Sequence, residues 1–265
     1  MSAVVPKKAL GQHWLHDEAT LDAIIDAADV GAGDPVLEIG PGLGTLTRRL
    51  LAKGAQVTAV EFDQSLAQSL QKALLKDSPL ASDLTVVRED ILRFDLTQLP
   101  PGYKVVANIP YYLTSNLLRV LTESTNQFSV AALLIQKEVA ERAAAGPGQM
   151  SLLSVSAQFY CDVSLGPVVP AELFTPPPKV DSQVLVLKYL AKPRFGNDLN
   201  TRLFFRVVRA GFSQKRKTLE NALSGGLAIS KDQARQLLEA AGIQPGQRAQ
   251  ALSLDDWYAL CRAYI

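Results

Sequence analysis

Apolar residues recur along the first two thirds of the chain in two alternating periods. In EATLDAIIDAA, Leu21, Ile24, Ile25 and Ala28 fall on one face of a 3.6-residue spiral, which predicts a helix. PVLEIG is a short apolar run and predicts a strand; PGLGTLTRRLLAKG after it predicts a glycine-rich turn opening into a helix. AQVTAVEFD and QSLAQSLQKALL repeat the strand–helix pair. LTVVRED and YKVVANIP add two more strands, and VAALLIQ adds a fifth that leads into the helical KEVAERAA. This β-α-β rhythm predicts a mostly parallel sheet covered by helices on both faces.

After Pro147 the rhythm changes. SLLSVSAQFYCDVSLGPVV and SQVLVLKYL both have strand-like patterns, with the proline-rich FTPPPKVDS between them, and suit a final strand pair at the sheet edge. That makes seven strands. Beyond about Ala191 the pattern is purely helical: NTRLFFRVVRAGF, KRKTLENALSGG, KDQARQLLEAAG and SLDDWYALCRAYI. Phe204, Phe205 and Phe212 lie at helical spacing and are expected in a core. A boundary near Lys192-Pro193 divides the chain into an α/β domain, 1–191, and a small all-α C-terminal domain, 192–265.

Composition narrows the class. A chain of 265 residues can bury one large core and a small one. No stretch approaches the roughly 20 apolar residues of a membrane span, and MSAVVPKKALGQHWL has neither a signal core nor an amphipathic leader. Cys161 and Cys261 match no zinc or redox spacing, and there are only two histidines, so no metal site is expected. These features predict a cytoplasmic protein. Charge is uneven: residues 1–187 carry 14 Lys+Arg against 20 Asp+Glu, whereas 188–265 carry 13 against 6. The basic end suits a polyanion partner or, equally, a solvated helical surface. Lys215, Arg216 and Lys217, at the start of an expected helix, carry the same two readings.

EIGPGLG, Glu38 to Gly44, follows a strand and opens a helix. Glycines there let backbone approach a ligand without Cβ obstruction. Dinucleotide folds use G-x-G-x-x-G and seat pyrophosphate on the helix N-terminus. Here Thr45 stands where the third glycine should be, and Glu38 is unwelcoming to phosphate. The pattern favours S-adenosylmethionine, whose sulfonium and ammonium are cationic, over a nicotinamide dinucleotide. Glu61, at the end of the second strand, can accept two ribose hydroxyls. Asp90, ending the third, can accept from an adenine amine. Each acid alone also suits a solvated strand end or a helix cap.

Asn108-Ile109-Pro110-Tyr111 closes the fourth strand. An adenine amine is a poor nucleophile because its lone pair is conjugated into the ring, so its N–H bonds must be held while the lone pair turns toward an electrophile. The Asn108 oxygen and the Ile109 carbonyl, restrained by Pro110, can hold them. The Tyr111 face can stack a splayed-out base; Tyr112 suits either core or base contact.

GQHWL, EIGPGLGTLT, VEFD, REDIL, NIPYYLTS, QKEVAER, FTPPPKVDS and FSQKRKTLENAL together resemble the ribosomal RNA adenine N6,N6-dimethyltransferases over nearly the whole chain. The resemblance implies a Rossmann-like methyltransferase domain with a helical RNA-recognition domain. It implies that His13, Leu15, Gly40, Glu61, Asp90 and Asn108 contact S-adenosylmethionine; Glu38 and Gly42 of the glycine turn are expected in the same cofactor site, and Tyr112, Lys215, Arg216 and Lys217 are the candidate RNA contacts. His13 and Trp14 depart from the family's Gln-Asn-Phe-Leu. The branch most resembled dimethylates two adjacent adenines near the 3′ end of 16S rRNA, as a monomer acting on a small-subunit particle. A 23S rRNA methyltransferase of the macrolide-resistance type and a non-catalytic assembly factor are the alternatives.

Overall fold

A computed structural model describes residue 6 and residues 11–77, 82–196 and 199–265. Contacts group the chain into two compact units, one running through Ala140 and resuming at Asp162–Tyr189, the other formed by Glu141–Cys161 and Leu190–Ile265.

The first unit is built on a seven-stranded sheet. Its strands are β2 (Pro35–Ile39), β3 (Gln56–Glu61), β4 (Leu84–Arg88), β5 (Lys104–Asn108), β6 (Val130–Gln136), β7 (Cys161–Val169) and β9 (Ser182–Tyr189), in the order β4-β3-β2-β5-β6-β9-β7. The pairs from β4 through β6 are parallel, and β9 runs antiparallel to β6. Ala131 to Ile135 are buried without interruption. Successive strand side chains point to opposite faces, so both faces of β6 are covered. Leu21, Ile24 and Ile25 of α1 (Glu18–Ala27) and Leu46, Leu50 and Leu51 of α2 (Thr45–Ala52) share one core with Val36, Val57 and Val106. Leu70 of α3 (Gln64–Asp77) joins it.

The chain leaves β2 for β3 and β4 on one side, then returns to β5 on the other. That reversal opens a crevice at the carboxyl ends of β2 and β5, where open α/β sheets bind ligands. A second pairing, absent from the sequence expectations, ties the N-terminal segment down: β1 (Trp14–Leu15) lies antiparallel to β8 (Phe174–Thr175). Helix α4 (Thr114–Glu123) follows the NIPY segment and was likewise not foreseen.

One expected strand is half helix. Leu152–Tyr160 forms α6, and only Cys161–Val169 is strand. Ser151 and Ser154 close a capping box, which satisfies donors at the helix start. Val155 and Phe159 then recur at helical spacing and join the core of the second unit. The helical unit therefore takes up 141–161, ahead of the expected boundary at 192. Its remaining helices are α7 (Thr201–Phe212), α8 (Leu219–Leu227), α9 (Lys231–Ala240) and α10 (Leu254–Tyr264). They match the four helical segments expected from the pattern. Helix α5 (Lys137–Ala143) falls at the division between the units.

Candidate active site

The carboxyl ends of β2, β3 and β5 and the turn after β4 enclose a cavity of about 380 Å³. The turn after β2 shapes its floor. Gly40 and Gly42 are both left-handed, with φ of 67° and 57°, a conformation that costs glycine little. A Cβ on Gly42 would stand 3.2 Å from the Trp14 indole nitrogen, so β1 passes directly over the turn. The Thr45 hydroxyl, at the first residue of α2, donates to the Leu15 carbonyl at 3.1 Å and fixes that crossing.

Two acids sit beneath. Glu61 accepts from the Gly42 N–H at 3.1 Å and from the Asp63 N–H at 2.8 Å, leaving further lone pairs on each oxygen. Burial raises its pKa, against the pull of those two N–H groups. Glu38 is buried, and neither of its oxygens makes a well-formed hydrogen bond. Burial pushes its carboxyl up to about 8, with Thr47 pulling the other way and Glu61 adding to the rise. Asp90 lies two residues beyond β4, in a turn where its side chain accepts from the Leu92 N–H at 3.0 Å.

Asn108 ends β5. Its amide nitrogen donates to the His13 carbonyl at 3.1 Å. An amide has one oxygen and one NH2 group, so this bond leaves the oxygen as the free acceptor. Ile109 is buried, while Pro110 and Tyr111 are half-buried and Tyr112 is exposed; all four line the cavity. The Tyr111 hydroxyl lies 2.9 Å from Ser182 Oγ, and its ring faces that of His13 at 6.0 Å.

The structure thus brings together His13, Leu15, Glu38, Gly40, Gly42, Glu61, Asp90 and Asn108 to Tyr112 around one cavity. Lys215, Arg216 and Lys217 are not part of its lining. They are exposed on the helical unit, in the turn between α7 and α8 rather than at a helix start, because α8 begins only after its N-cap Thr218. Two residues escaped the sequence reasoning. Phe62 is 62% exposed yet lines the cavity next to Glu61; a large aromatic directly after a strand-end acid is the signal that could have found it. Ser182 meets Tyr111 from 71 residues away, and no local pattern marks it.

The charge of the lining separates the ligand classes. Glu38, Glu61, Glu89 and Asp90 contribute four carboxyl groups, and among the described residues no Lys or Arg lines the cavity. A pyrophosphate would find no countercharge here, whereas a cation would favour the ionised form of these carboxyls. The family description "Ribosomal RNA adenine dimethylase" matches residues 5–265. The chain belongs to that family. Relatives of this dimethylase include "Ribosomal RNA small subunit methyltransferase A" of Dehalococcoides mccartyi, 41% identical over 97% of this chain and 88% of the relative. The protein of the same name from Syntrophotalea carbinolica is 41% identical over 97% and 96%. Among solved structures, a dimethyladenosine transferase from Plasmodium falciparum superposes with a TM-score of 0.78 at 28% identity, covering 94% of this chain and 96% of that one. The 23S rRNA methyltransferase ErmE superposes with a TM-score of 0.73 at 27% identity, covering 94% and 98%.

Proposed function

We propose that this dimethylase transfers methyl groups from S-adenosylmethionine to the N6 amines of two adjacent adenines near the 3′ end of 16S rRNA. The product is N6,N6-dimethyladenine in a small-subunit particle. The observation that carries the reading is the acid-lined cavity with Asn108 at its edge, its amide nitrogen engaged and its oxygen free. The two relatives named as small-subunit methyltransferases favour 16S over 23S rRNA; they match at 41%, against 27% for the 23S enzyme.

The residues present fit the cofactor. Glu38 is an orphaned buried carboxyl beside a turn whose glycines leave the cavity open. S-adenosylmethionine, when bound, supplies an electrophilic methyl on a cationic sulfur. Glu38 and the turn at Gly40 and Gly42 accommodate that cation, Glu61 accepts ribose hydroxyls, and Asp90 accepts from the adenine amine of the cofactor. His13 and Leu15 close over it. The Asn108 oxygen and the Ile109 carbonyl hold the N–H bonds of the target amine so that its lone pair faces the methyl. Pro110 stiffens that carbonyl, and Tyr111 stacks the target base. No side chain need act as a base, because the methylated nitrogen releases its proton readily; the chain contributes mainly position. Tyr112 contacts the RNA near the base, and Lys215, Arg216 and Lys217 contact phosphates. The target base leaves its stack to enter, which costs least in a loop or strained RNA. We further place the enzyme in the cytoplasm as a monomer; among the described residues no helix is long and apolar enough to cross a membrane.

Mass spectrometry of rRNA adenines, before and after incubation of unmethylated small-subunit particles with enzyme and cofactor, tests the reading. Two dimethylated 16S adenines are expected; methylation confined to 23S rRNA, or none, overturns it. Asn108→Ala is expected to slow transfer about 100-fold or more while cofactor affinity changes little. Full activity of that variant would remove Asn108 from the orienting role.

A further inference from the structure

Tyr111 is braced from behind by Ser182, which the methyl-transfer scheme above does not use, and by His13, which that scheme uses only to cover the cofactor. Its hydroxyl meets Ser182 Oγ at 2.9 Å. Ser182 is fully buried at the start of β9 and does not line the cavity, so it cannot touch a ligand there. The Tyr111 ring also faces the His13 imidazole, with 20° between the planes. That imidazole is itself held: Nδ1 lies 2.6 Å from the Pro176 carbonyl. A carbonyl only accepts, so Nδ1 carries a proton and donates it, which fixes the orientation of the ring. The next two residues, Trp14 and Leu15, pair with Thr175 and Phe174. The proline-rich stretch 174–182 therefore grips the aromatic ring twice, once at its hydroxyl through Ser182 and once at its face through His13.

We propose that Ser182 and His13 are positioning residues that hold the Tyr111 ring so that the second methyl is added as readily as the first. The inference rests on the acceptor reading given under the proposed function. The target amine begins with two N–H bonds, one for the Asn108 oxygen and one for a backbone carbonyl. In the first transfer the nitrogen lone pair forms the N–C bond, the S–C bond breaks with its electron pair going to sulfur, and one proton leaves the nitrogen for solvent. The product amine keeps one N–H. The base has then lost one of its two anchoring hydrogen bonds, and its placement falls more heavily on the stack against Tyr111. A ring released from Ser182 or His13 can turn. A misplacement on the order of 1 Å costs up to roughly 100-fold in rate, and that cost lands mainly on the second step.

The test measures the ratio of monomethyl to dimethyl adenine left by a single encounter with target particles, under saturating S-adenosylmethionine, for wild type, Ser182→Ala, Ser182→Thr, Tyr111→Phe, His13→Ala and the Ser182→Ala/Tyr111→Phe double variant. A poorly folded fraction lowers total methylation but leaves the product ratio of the active molecules unchanged. Ser182→Ala, Tyr111→Phe and His13→Ala are each expected to raise the ratio about tenfold, a partial loss on the scale that misplacement allows. The double variant should go no further than either of its single changes, because Ser182 acts through the Tyr111 hydroxyl. Ser182→Thr restores the hydroxyl and the wild-type ratio. Cofactor dissociation constants, followed by Trp14 fluorescence, should stay within about twofold for the Ser182 and Tyr111 variants, since neither residue is among the cofactor's contacts. An unchanged ratio in Ser182→Ala, or additive effects in the double variant, overturns the brace. A wild type that dimethylates no 16S adenine overturns the proposed function itself, which is a separate result.

Discussion

Around the cavity of the sheet unit, polar groups are left with capacity to spare, whereas in the helical unit large side chains are pressed together with little room. Glu38 is buried with neither oxygen well bonded, and Asn108 keeps its oxygen free. In the helical unit the Phe159 ring lies 4.7 Å from Phe204, 4.8 Å from Tyr160 and 5.1 Å from Phe205. A Cβ on Gly211 would come within 2.4 Å of the fully buried Trp257 ring. Capping boxes at Ser151, Ser230 and Ser253 satisfy donors at three of its helix starts. The difference teaches that the groups able to bind are those that folding leaves incompletely paired, and that they persist because stability is supplied elsewhere.

Removing a large side chain from the packed unit should break stability without touching the site. Trp257→Ala deletes the largest fully buried side chain and is expected to cost about 3–5 kcal/mol in a denaturation experiment. Trp257→Phe should cost much less, because it keeps an aromatic ring and removes a buried indole N–H that has no partner. At a temperature where both proteins are folded, cofactor affinity should match wild type. Affinity that falls in step with stability would mean that packing and binding are not separable in this way.

The same contrast explains what was legible in the sequence. The five parallel-sheet strands and the four C-terminal helices show as local periodicity, and the glycine turn, Glu61 and NIPY show as motifs at strand ends. The stretch from Ser151 to Tyr160 misled because Leu152, Leu153, Val155 and Phe159 suit a strand as well as a helix. Its outcome depends on the Ser151–Ser154 cap and on a core assembled with Phe204 and Phe205. The β1–β8 pair involves two residues on each side, too few for any period to register. Ser182 behind Tyr111 and the His13 carbonyl on Asn108 are long-range contacts, visible only once the chain has folded.

Glu38 offers an effect spread across a pH range. Its carboxyl titrates near 8 in the folded protein against an ordinary 4.5, because burial disfavours the charged form. Between those values the unfolded chain has lost the proton that the folded chain keeps. Stability is therefore fully present below about pH 4.5 and declines toward pH 8, by at most about 1.4 kcal/mol per unit. Glu61, also raised by burial, adds in the same direction. Glu38→Gln cannot ionise, so its melting temperature should fall less steeply over this range, and its advantage should level off above about pH 8. Parallel curves for the two proteins would show that Glu38 keeps its charge through some partner.

The mildest change, judged by stability, falls on the exposed basic turn. Lys215, Arg216 and Lys217 lie outside both the packed core and the cavity. Replacing all three by alanine should alter unfolding free energy by no more than about 0.5 kcal/mol per site. Cofactor affinity should be unchanged, because none of the three borders the cavity. With the phosphate contacts proposed above, the effect is expected in RNA binding and in its salt dependence. Each phosphate contact releases condensed counterions, so losing it lowers the log–log salt slope by about 0.7–0.9. The triple variant should then bind target rRNA more weakly at low salt, with a slope reduced by about 2–3. Affinities of wild type and variant should converge as salt rises. A slope identical to wild type would make the turn an ordinary solvated surface and move the phosphate contacts to other cations of the chain. A reduced slope with intact stability and intact cofactor binding would divide the labour three ways, with packing in the helical core, methyl transfer at the strand ends and phosphate contact on an exposed turn.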